Sequence, residues 1–279
     1  MVATAFAASA EAPPAKDWEA RITPYGWLTR IDGSVDIGER SGDVSAGIDD
    51  VLSHFGGGGM LNAGFRWRRL LVLGDVVFAR LTDDLTSATV QVGPPALPVE
   101  VGPLKTDVTF WEVTGALSLG YRVLDLPFPG RDVGDANDPR RLFVDAYAGA
   151  RFWYFDQKYE LSIPPTTVGG TPVPTGGRSQ TVKDSQWWVD PQIGVVLAAR
   201  PWKRWSFAIG GSVGGFGVGS SSKFSWTGVV EGSWHFAERW SLVAAYKGLG
   251  FNRDFSSKTI DGKIDIAMHG PVLGVSYRF

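Results

Sequence analysis

The final stretch of the chain alternates in chemical character and reads Gly262-Lys-Ile-Asp-Ile-Ala-Met-His-Gly-Pro-Val-Leu-Gly-Val-Ser-Tyr-Arg-Phe279. One face of this stretch carries apolar and aromatic side chains, namely Leu273, Val275, Tyr277 and Phe279. The other face carries small or polar residues, namely Gly270, Gly274, Ser276 and Arg278. Successive side chains of a β-strand point to opposite faces, so the pattern predicts a long strand with one apolar face. That face would meet a core in a soluble sheet and lipid in a transmembrane barrel.

The composition narrows the choice between these two environments. The chain has 279 residues with 36 Gly, 12 Trp, 16 Phe, no Cys and a formal net charge of −2. The charge argues against nucleic acid as a partner, and the lack of Cys excludes disulfides and thiolate metal sites. We expect no cofactor. No apolar run reaches about 18 residues, so no transmembrane helix is predicted. A soluble sandwich or lipocalin-like barrel is possible on composition, but the excess of Trp and Gly favours a membrane barrel.

Working back from the C-terminal stretch, ten segments alternate with a period of two residues. They are 18–31, 58–68, 70–82, 108–123, 141–157, 185–200, 204–218, 223–236, 240–252 and 263–279. Long connections rich in Gly, Pro, Thr, Ser and Asp span 32–57, 83–107, 158–184 and 253–262, and tight connections lie between them. Long loops outside the cell and short turns inside are typical of outer-membrane barrels. Two connections are exceptions: 124–140 is long where a short turn is expected, and 218–222 is short where a long loop is expected.

The predicted fold class is therefore all-β: a transmembrane, up-and-down antiparallel β-barrel of about ten strands over residues 18–279. Eight or twelve strands remain alternatives, because 32–57 and 83–107 could each contain a hairpin. The predicted location is the bacterial outer membrane. Residues 1–10, ending in Ala8-Ser9-Ala10, resemble the end of a secretory signal peptide, although a disordered terminus of small residues is an alternative. Residues 11–17 are expected to form a short periplasmic lead-in.

The predicted lipid-facing sides have aromatic residues at both ends. The fourth, sixth and eighth segments show this most clearly, with Trp111 to Tyr121, Trp187 to Leu197 and Phe224 to Phe236. Interfacial Trp and Tyr girdles have this arrangement, and a soluble sandwich has no reason for it.

The opposite faces carry acids and bases in nearly equal number, so we expect a nearly neutral lumen. A lumen network is predicted from Glu112, Arg151, Asp190, Glu231 and Lys247. Within it, Arg151 is expected between Glu112 and Asp190, because the three residues share inward parity and a similar height on adjacent strands. A basic ring at the periplasmic mouth is predicted from Arg21, Arg66, Arg122, Arg200 and Arg278.

Several motifs resemble a family of poorly characterised proteobacterial outer-membrane β-barrel proteins, broadly like OmpW-type and porin-type proteins. They are Ile22-Thr-Pro-Tyr-Gly-Trp-Leu28, Tyr147-Ala-Gly-Ala-Arg-Phe-Trp153, Trp188-Val-Asp-Pro191 and Gly214-Gly-Phe-Gly-Val-Gly-Ser220. The aromatic end of the chain, Tyr277 and Phe279, also resembles the assembly signal of such barrels. These resemblances imply outer-membrane lipid, lipopolysaccharide and the barrel assembly machinery as partners, with small solutes as further candidates. They bring no established substrate or catalytic residue.

Three functions stay open. The first is a narrow channel for passive diffusion of small solutes, because about ten strands leave at most a narrow path. The second is a closed structural or adhesive barrel that acts through its extracellular loops. The third is a barrel enzyme, which is disfavoured because His54, His235 and His269 assemble into no Ser-His-Asp geometry. Residues 45–55 are predicted to form one or two helical turns capped by Ser45, either as a plug or on the surface. The glycines of 210–219 are interpreted as close backbone approaches and not as a phosphate cradle.

Overall fold

The computed structural model of the chain describes residues 17–37, 40–86, 90–92, 99–101, 105–127, 140–163, 167–168, 171–172, 178–256 and 261–279. The predicted signal remnant at 1–10 and nearly all of the lead-in at 11–17 lie outside these residues and stay predictions. Within the described ranges, no helix is long and apolar enough to cross a membrane.

The described chain consists of sixteen strands and one short helix. In chain order they are β1 Trp18–Trp27, β2 Arg30–Ile37, β3 Arg40–Ala46, α1 Ile48–Ser53, β4 Phe55–Trp67, β5 Leu70–Thr86, β6 Val90–Val92, β7 Val99–Val101, β8 Lys105–Pro127, β9 Arg141–Ile163, β10 Thr167–Val168, β11 Thr171–Pro172, β12 Arg178–Trp202, β13 Trp205–Gly215, β14 Phe224–His235, β15 Trp240–Ser256 and β16 Asp261–Arg278.

Ten of these strands form a closed antiparallel barrel, in the order β1-β4-β5-β8-β9-β12-β13-β14-β15-β16. The ring closes because β16 also pairs with β1, with Arg278 opposite Arg21 and Val272 opposite Trp27. Closure gives the backbone amides of the wall partners without leaving a sheet edge in the membrane. The predicted ten-stranded barrel is thereby confirmed, and each of the ten predicted segments overlaps one barrel strand.

The connection predicted over 32–57 does contain a hairpin, formed by β2 and β3. It does not enter the ring, because β2 continues β1 upward along β16, with Arg30 opposite His269 and Ile37 opposite Gly262. Gly270 of β16 lies beside the junction between β1 and β2. Its φ is 159°, and a Cβ on it would lie 1.9 Å from the carbonyl oxygen of Leu28. Only glycine fits this close approach. The hairpin therefore extends the outer wall and adds no strand to the ring.

The predicted helical turns are present as α1, but the predicted N-cap is wrong. The N-cap is Gly47 and not Ser45, because Ser45 belongs to β3 and its hydroxyl donates to Asp32 over 3.1 Å. Asp50 accepts the Gly47 amide at 2.9 Å, and Asp49 and Asp50 lie in the first turn as expected. No residue of α1 is buried, so the helix does not plug the barrel.

Two neighbouring strands continue well beyond their predicted outer ends, β9 to Ile163 and β12 to Arg178, and β8 starts three residues further out, at Lys105. Strands β8 and β9 contain 23 residues each and β12 contains 25. Strands β9 and β12 take up about half of the connection predicted over 158–184, and β6, β7, β10 and β11 form a separate small sheet. The result is a tall extracellular wall on one side of the barrel.

The outer surface carries an apolar band between two aromatic girdles. Exposed aromatics at the periplasmic end are Trp18, Trp67, Tyr121, Trp202, Trp205, Trp234, Phe236, Trp240 and Phe279, and those at the outer end are Phe78, Phe152, Trp187, Phe224 and Tyr246. On β14, Phe224 and Trp234 bound a tilted span of about 25 Å, close to the apolar height of outer-membrane barrels. The predicted parity holds at Val230, which is 57% exposed, and at its neighbour Val229, which is 5% exposed inside the barrel.

Candidate functional site

The outer half of the lumen is filled by an aromatic layer of Trp153, Phe155, Trp188 and Phe251. The rings of Trp153 and Trp188 stack with centroids 5.7 Å apart, and Phe251 lies 4.8 Å from Trp153. These residues come from β9, β12 and β15, so the layer spans the lumen from one wall toward another. The Arg253 guanidinium covers the outer side of Trp188, 4.4 Å from the ring centroid. Aromatic packing of this kind leaves little room for a solute path.

A polar layer lies below the aromatic layer and is centred on Arg151. The guanidinium of Arg151 donates to Gln192 over 2.9 Å and to Ser212 over 3.4 Å, and it also donates to Thr227. Gln192 in turn donates to Ser118 over 3.0 Å. Five strands, β8, β9, β12, β13 and β14, contribute to this layer, so its hydrogen bonds tie one half of the wall together.

The prediction that Arg151 lies between Glu112 and Asp190 is wrong in its contacts. Asp190 is opposite Arg151 across the β9–β12 ladder, but the residue opposite Arg151 on β8 is Ala116. Glu112 pairs with Phe155 instead, four positions along the strand and about 13 Å away. Stagger between tilted strands causes this offset, which cannot be counted from turn positions alone.

A second polar group joins Lys247 to the opposite part of the wall. The Nζ of Lys247 lies 3.2 Å from Oδ1 of Asp75 and 3.1 Å from the Tyr25 hydroxyl. The Tyr25 hydroxyl donates to Asp75, which also accepts from Asn62 over 3.3 Å. The Trp27 ring lies 4.7 Å from the ammonium. A buried charge needs partners of this kind, because an isolated one is strongly destabilising.

The remaining predicted network residues are inward-facing and buried, but they belong to separate small groups. Glu112 accepts from Thr114 over 3.0 Å, and Glu231 accepts from Ser233 over 3.0 Å. Asp190 accepts from the Trp153 indole over 2.9 Å. The structure thus places all five residues in the lumen and does not join them into one network.

Several inward side chains are almost inaccessible to water. Trp153, Asp190 and Thr23 are each 0% exposed, Lys247 is 1% exposed and Arg151 is 2% exposed. In an aqueous channel these groups would line the water. Their burial indicates that the lumen is closed at the level of the polar and aromatic layers.

A short inward-folded loop between β13 and β14, residues 216–223, completes this closure. Ser222 is 0% exposed, its amide donates to Asp190 over 2.7 Å, and its hydroxyl accepts from the Trp188 indole over 2.9 Å. The turn needs left-handed backbone at Gly217 and Gly219, where φ is 66° and 63°. At Gly214 and Gly215 a Cβ would lie 2.6 and 2.4 Å from backbone oxygens of Pro191 and Ser222, which agrees with the interpretation of this run as a close backbone approach. The shortness of the loop, unexpected at that position, follows from its inward fold.

The predicted basic ring does not form an open cationic mouth. Arg66 pairs with Glu19 at 3.1 Å, and Arg122 makes a two-pronged pair with Asp145 at 2.9 and 3.1 Å. Arg200 and Arg278 donate to turn carbonyls of Lys203 and Glu238, and Arg21 lies within electrostatic reach of Glu19 and Glu231. The sequence pattern identified the inward arginines but not their partners, because these partners are carboxylates on other strands and carbonyls in turns.

The last strand is anchored at its tip, where Tyr277 and Phe279 lie. The Phe279 amide donates to the carbonyl of Ala20 over 3.0 Å. The Tyr277 ring packs edge-on to Phe279 at 4.9 Å and lies 4.7 Å from Trp240. Their role as an assembly signal stays a prediction.

The histidines occupy three unrelated surroundings. His235 lies between the Ser206 and Ser241 hydroxyls at the periplasmic end, and His54 follows α1 and contacts the carbonyl of Asp50. His269 faces outward, 3.4 Å from Asp32, and its other ring nitrogen contacts the Tyr246 hydroxyl at 2.7 Å. Among the described side chains, no group of three His, Asp or Glu residues could hold a metal ion.

A closed ten-stranded barrel with a girdled apolar exterior and buried polar groups inside is the architecture of a bacterial outer-membrane protein, and this chain is an outer-membrane β-barrel. No protein-family model matches the sequence, and no curated protein is similar enough to count as a relative.

Solved structures with a similar architecture include the outer-membrane protease OmpT from Escherichia coli, at 9% identity, covering 97% of this chain and 100% of that chain, with a TM-score of 0.44. A second is the attachment invasion locus protein Ail of Yersinia pestis in complex with the heparin analogue sucrose octasulfate, at 12% identity, with 95% and 100% coverage and a TM-score of 0.33. A third is the toluene transporter TodX from P. putida, at 10% identity, with 95% and 91% coverage and a TM-score of 0.30. We draw no functional argument from these similarities.

Proposed function

We propose that this protein is a closed outer-membrane barrel that acts through its extracellular wall and not by passing solutes. The observation that carries the proposal is the burial of the lumen, where Arg151, Asp190 and Lys247 are at most 2% exposed. The tall wall of β8, β9 and β12 supplies the surface for such a role, because it continues above the outer aromatic girdle.

The absence of cysteine from the sequence allows a direct test of this closure. Ser118→Cys and Ser212→Cys place single thiols in the polar layer, where the native side chains are 1% and 5% exposed. Ser220→Cys places one on the exposed β13–β14 loop as the control. We expect a membrane-impermeant maleimide to label the control rapidly and the two lumen thiols at the background rate. Rapid labelling of both lumen thiols in folded protein would refute the proposal.

A narrow channel for small solutes is the second candidate, and the polar groups favour it. Hydrogen bonds between side chains, such as Lys247 to Asp75, could exchange for bonds to water more readily than apolar packing could. Under this alternative, the polar layer would have an open state and both lumen thiols would react at a measurable, voltage-dependent rate.

The protein family and the partners of this barrel are also part of the proposal. The motifs around Tyr147 and Gly214 support a place among OmpW-type and porin-type proteins, and lipopolysaccharide and the barrel assembly machinery are its proposed partners. We propose no catalytic role, since the outward His269 contacts Asp32 and Tyr246 without a nearby serine nucleophile among the described contacts.

A further inference from the structure

We propose that the free edge of β12 above the outer girdle, from Arg178 to Ser185, binds an extended segment of another polypeptide as an added strand. The partner is identified by its chemistry, as an unfolded or loop segment with free backbone amides and carbonyls. This inference rests on the proposed function and deepens it, because it names the surface through which a closed barrel would act.

The pairing of β12 is complete on one side and partial on the other. Toward β9 the ladder runs from Arg178, opposite Ile163, down to Ala199, opposite Leu142. Toward β13 the ladder begins only at Gln192, opposite Gly214. Within the described part of the chain, no strand pairs with the β13 side of Arg178 to Asp190. Alternate residues direct their backbone groups to each side of a strand, so about half of those in this stretch face the gap.

The gap exists because β13 and β14 are short. They stop at Gly215 and Phe224, whereas β12 and β15 continue outward on either side to Arg178 and Ser256. Two missing strands correspond to a width of about 14 Å at the usual strand spacing. The free edge above the level of Gln186, from Arg178 to Ser185, is about 25 Å long at the usual rise per residue. These dimensions suit an extended peptide.

The floor of the gap is sealed, so a guest strand would not enter the lumen. The side chain of Arg253 crosses the floor, donates to Gln186 over 3.1 Å and covers the Trp188 ring. It also donates to the carbonyl of Ser220 in the inward-folded loop over 3.3 Å. Binding at the edge above this floor is therefore independent of conduction through the barrel.

The edge is long and regular, although it carries charges at Lys183 and Asp184. Natural edges are blunted by short length, bulges, Pro or charged side chains, and of these the edge has only charges. Between Arg178 and Asp190 the β9 ladder runs without a register shift, and Pro191 comes only at the lower end. Side chains on the outer face are exposed, including Thr181, Lys183 and Trp187, the last at 65%. A regular, accessible edge of this kind is a template for a further strand.

A second copy of the chain in the same membrane does not fit this edge. Two such copies are related by an axis along the membrane normal, so their β12 strands would run in the same direction. In a parallel ladder the two strands bond in different ways, so a symmetric contact cannot satisfy both edges. A separate peptide has no such restriction. Its residue beside Lys183 is expected to be acidic or polar.

The test uses the full-length barrel in lipid nanodiscs and a phage-displayed library of random linear peptides as the probe. We expect enriched peptides to slow hydrogen exchange at alternate amides of Arg178 to Ser185. Those amides should exchange quickly in the free protein, since no described strand pairs with that side of β12. The absence of enriched peptides, or enriched peptides that leave these amides unprotected, would overturn the proposal.

Matched proline variants at adjacent positions provide the control. One of Lys183→Pro and Asp184→Pro removes an amide that faces the gap, and the other removes one that bonds to β9. We expect one variant to keep the wild-type thermal stability and bind the selected peptides about tenfold more weakly or worse. The other variant should be less stable. If both variants bind as tightly as the wild type, the edge is not the site. If the two lumen thiols were labelled rapidly while the selected peptides still bound, the closed lumen would be refuted and the binding edge would not.

Discussion

The ammonium of Lys247 on β15 and the carboxylate of Asp75 on β5 meet across the lumen, 3.2 Å apart and almost fully buried. Removing one partner leaves the other charge buried with incomplete compensation. We expect Lys247→Met to lower the free energy of unfolding by about 3–5 kcal/mol. The double variant Lys247→Met with Asp75→Asn should recover part of this loss. Urea unfolding in lipid vesicles, followed by tryptophan fluorescence, measures both, and additive losses in the double variant would contradict a direct coupling.

Asp190 holds the inward-folded loop through the Ser222 amide, at 2.7 Å. Asp190→Ala leaves that amide and the Trp153 indole without their carboxylate partner, at a cost of about 1–3 kcal/mol. We expect faster hydrogen exchange at Ser222. The matched control is Asp254→Ala, which removes an exposed ion pair with Lys223 near the same loop and should change little. Equal exchange at Ser222 in both variants would show that Asp190 does not anchor the loop.

Val230 faces lipid in the apolar band, and Ser185 is exposed on β12 above the outer girdle. A lysine at Val230 should destabilise the folded barrel by about 2–4 kcal/mol, because the charge enters the hydrocarbon region. Ser185→Lys should stay within about 0.5 kcal/mol of the wild type. Equilibrium refolding into vesicles compares the two, and an equal effect would contradict the assigned membrane position.

Phe279 and Phe236 are similarly exposed aromatics at the periplasmic end, at 49% and 45%. Of the two, only Phe279 packs on Tyr277 of the closing strand. If the C-terminal residues are the assembly signal, Phe279→Ala should lower the amount of barrel in the outer membrane much more than Phe236→Ala. The readout is the heat-modifiable fraction in membrane extracts. Similar levels for the two variants would remove the special role of the terminus.

Asp32 on the extracellular hairpin is held by two hydrogen bonds from the Arg30 guanidinium, at 2.8 and 2.9 Å. These bonds lower the pKa of the Asp32 carboxyl from 3.8 to about 2. A depressed pKa means that the contact stabilises the hairpin above pH 3.8 and loses this effect as the pH falls toward 2. Carboxyl NMR titration should give a midpoint near 2, and Arg30→Gln should raise it. An unchanged midpoint in that variant would contradict the assignment.

The sequence predicted the membrane part of the fold because lipid on one side and lumen on the other impose strict alternation. On β14, for example, the predicted segment 223–236 differs from the observed strand Phe224–His235 by a residue at each end. Above the girdle both faces meet water, so alternation disappears while the backbone ladder continues. The upper part of β12 was therefore missed, and the β2–β3 hairpin was predicted only as an alternative within residues 32–57.

Contacts inside the lumen were less predictable than its lining. Inward parity identified Arg151, Asp190 and Lys247 as lumen residues, but it gave neither the stagger between strands nor the direction of a long side chain. Arg151 donates to Thr227, three strands away in the sheet order. The partner of Asp190 is the amide of Ser222, which belongs to a loop and not to a strand. The glycine run at 214–219, followed by three serines, was the one available signal that this loop folds inward.

The closed lumen is tested most directly by single-channel recording of purified, refolded protein in a planar lipid bilayer. Insertion is verified on the same sample by heat-modifiable migration. We expect no discrete conductance steps from the wild-type barrel, because the aromatic layer, the Arg151 layer and the inward-folded loop occlude the path in series. Stable, reproducible openings of correctly folded wild-type protein would contradict the closed barrel and favour the narrow channel.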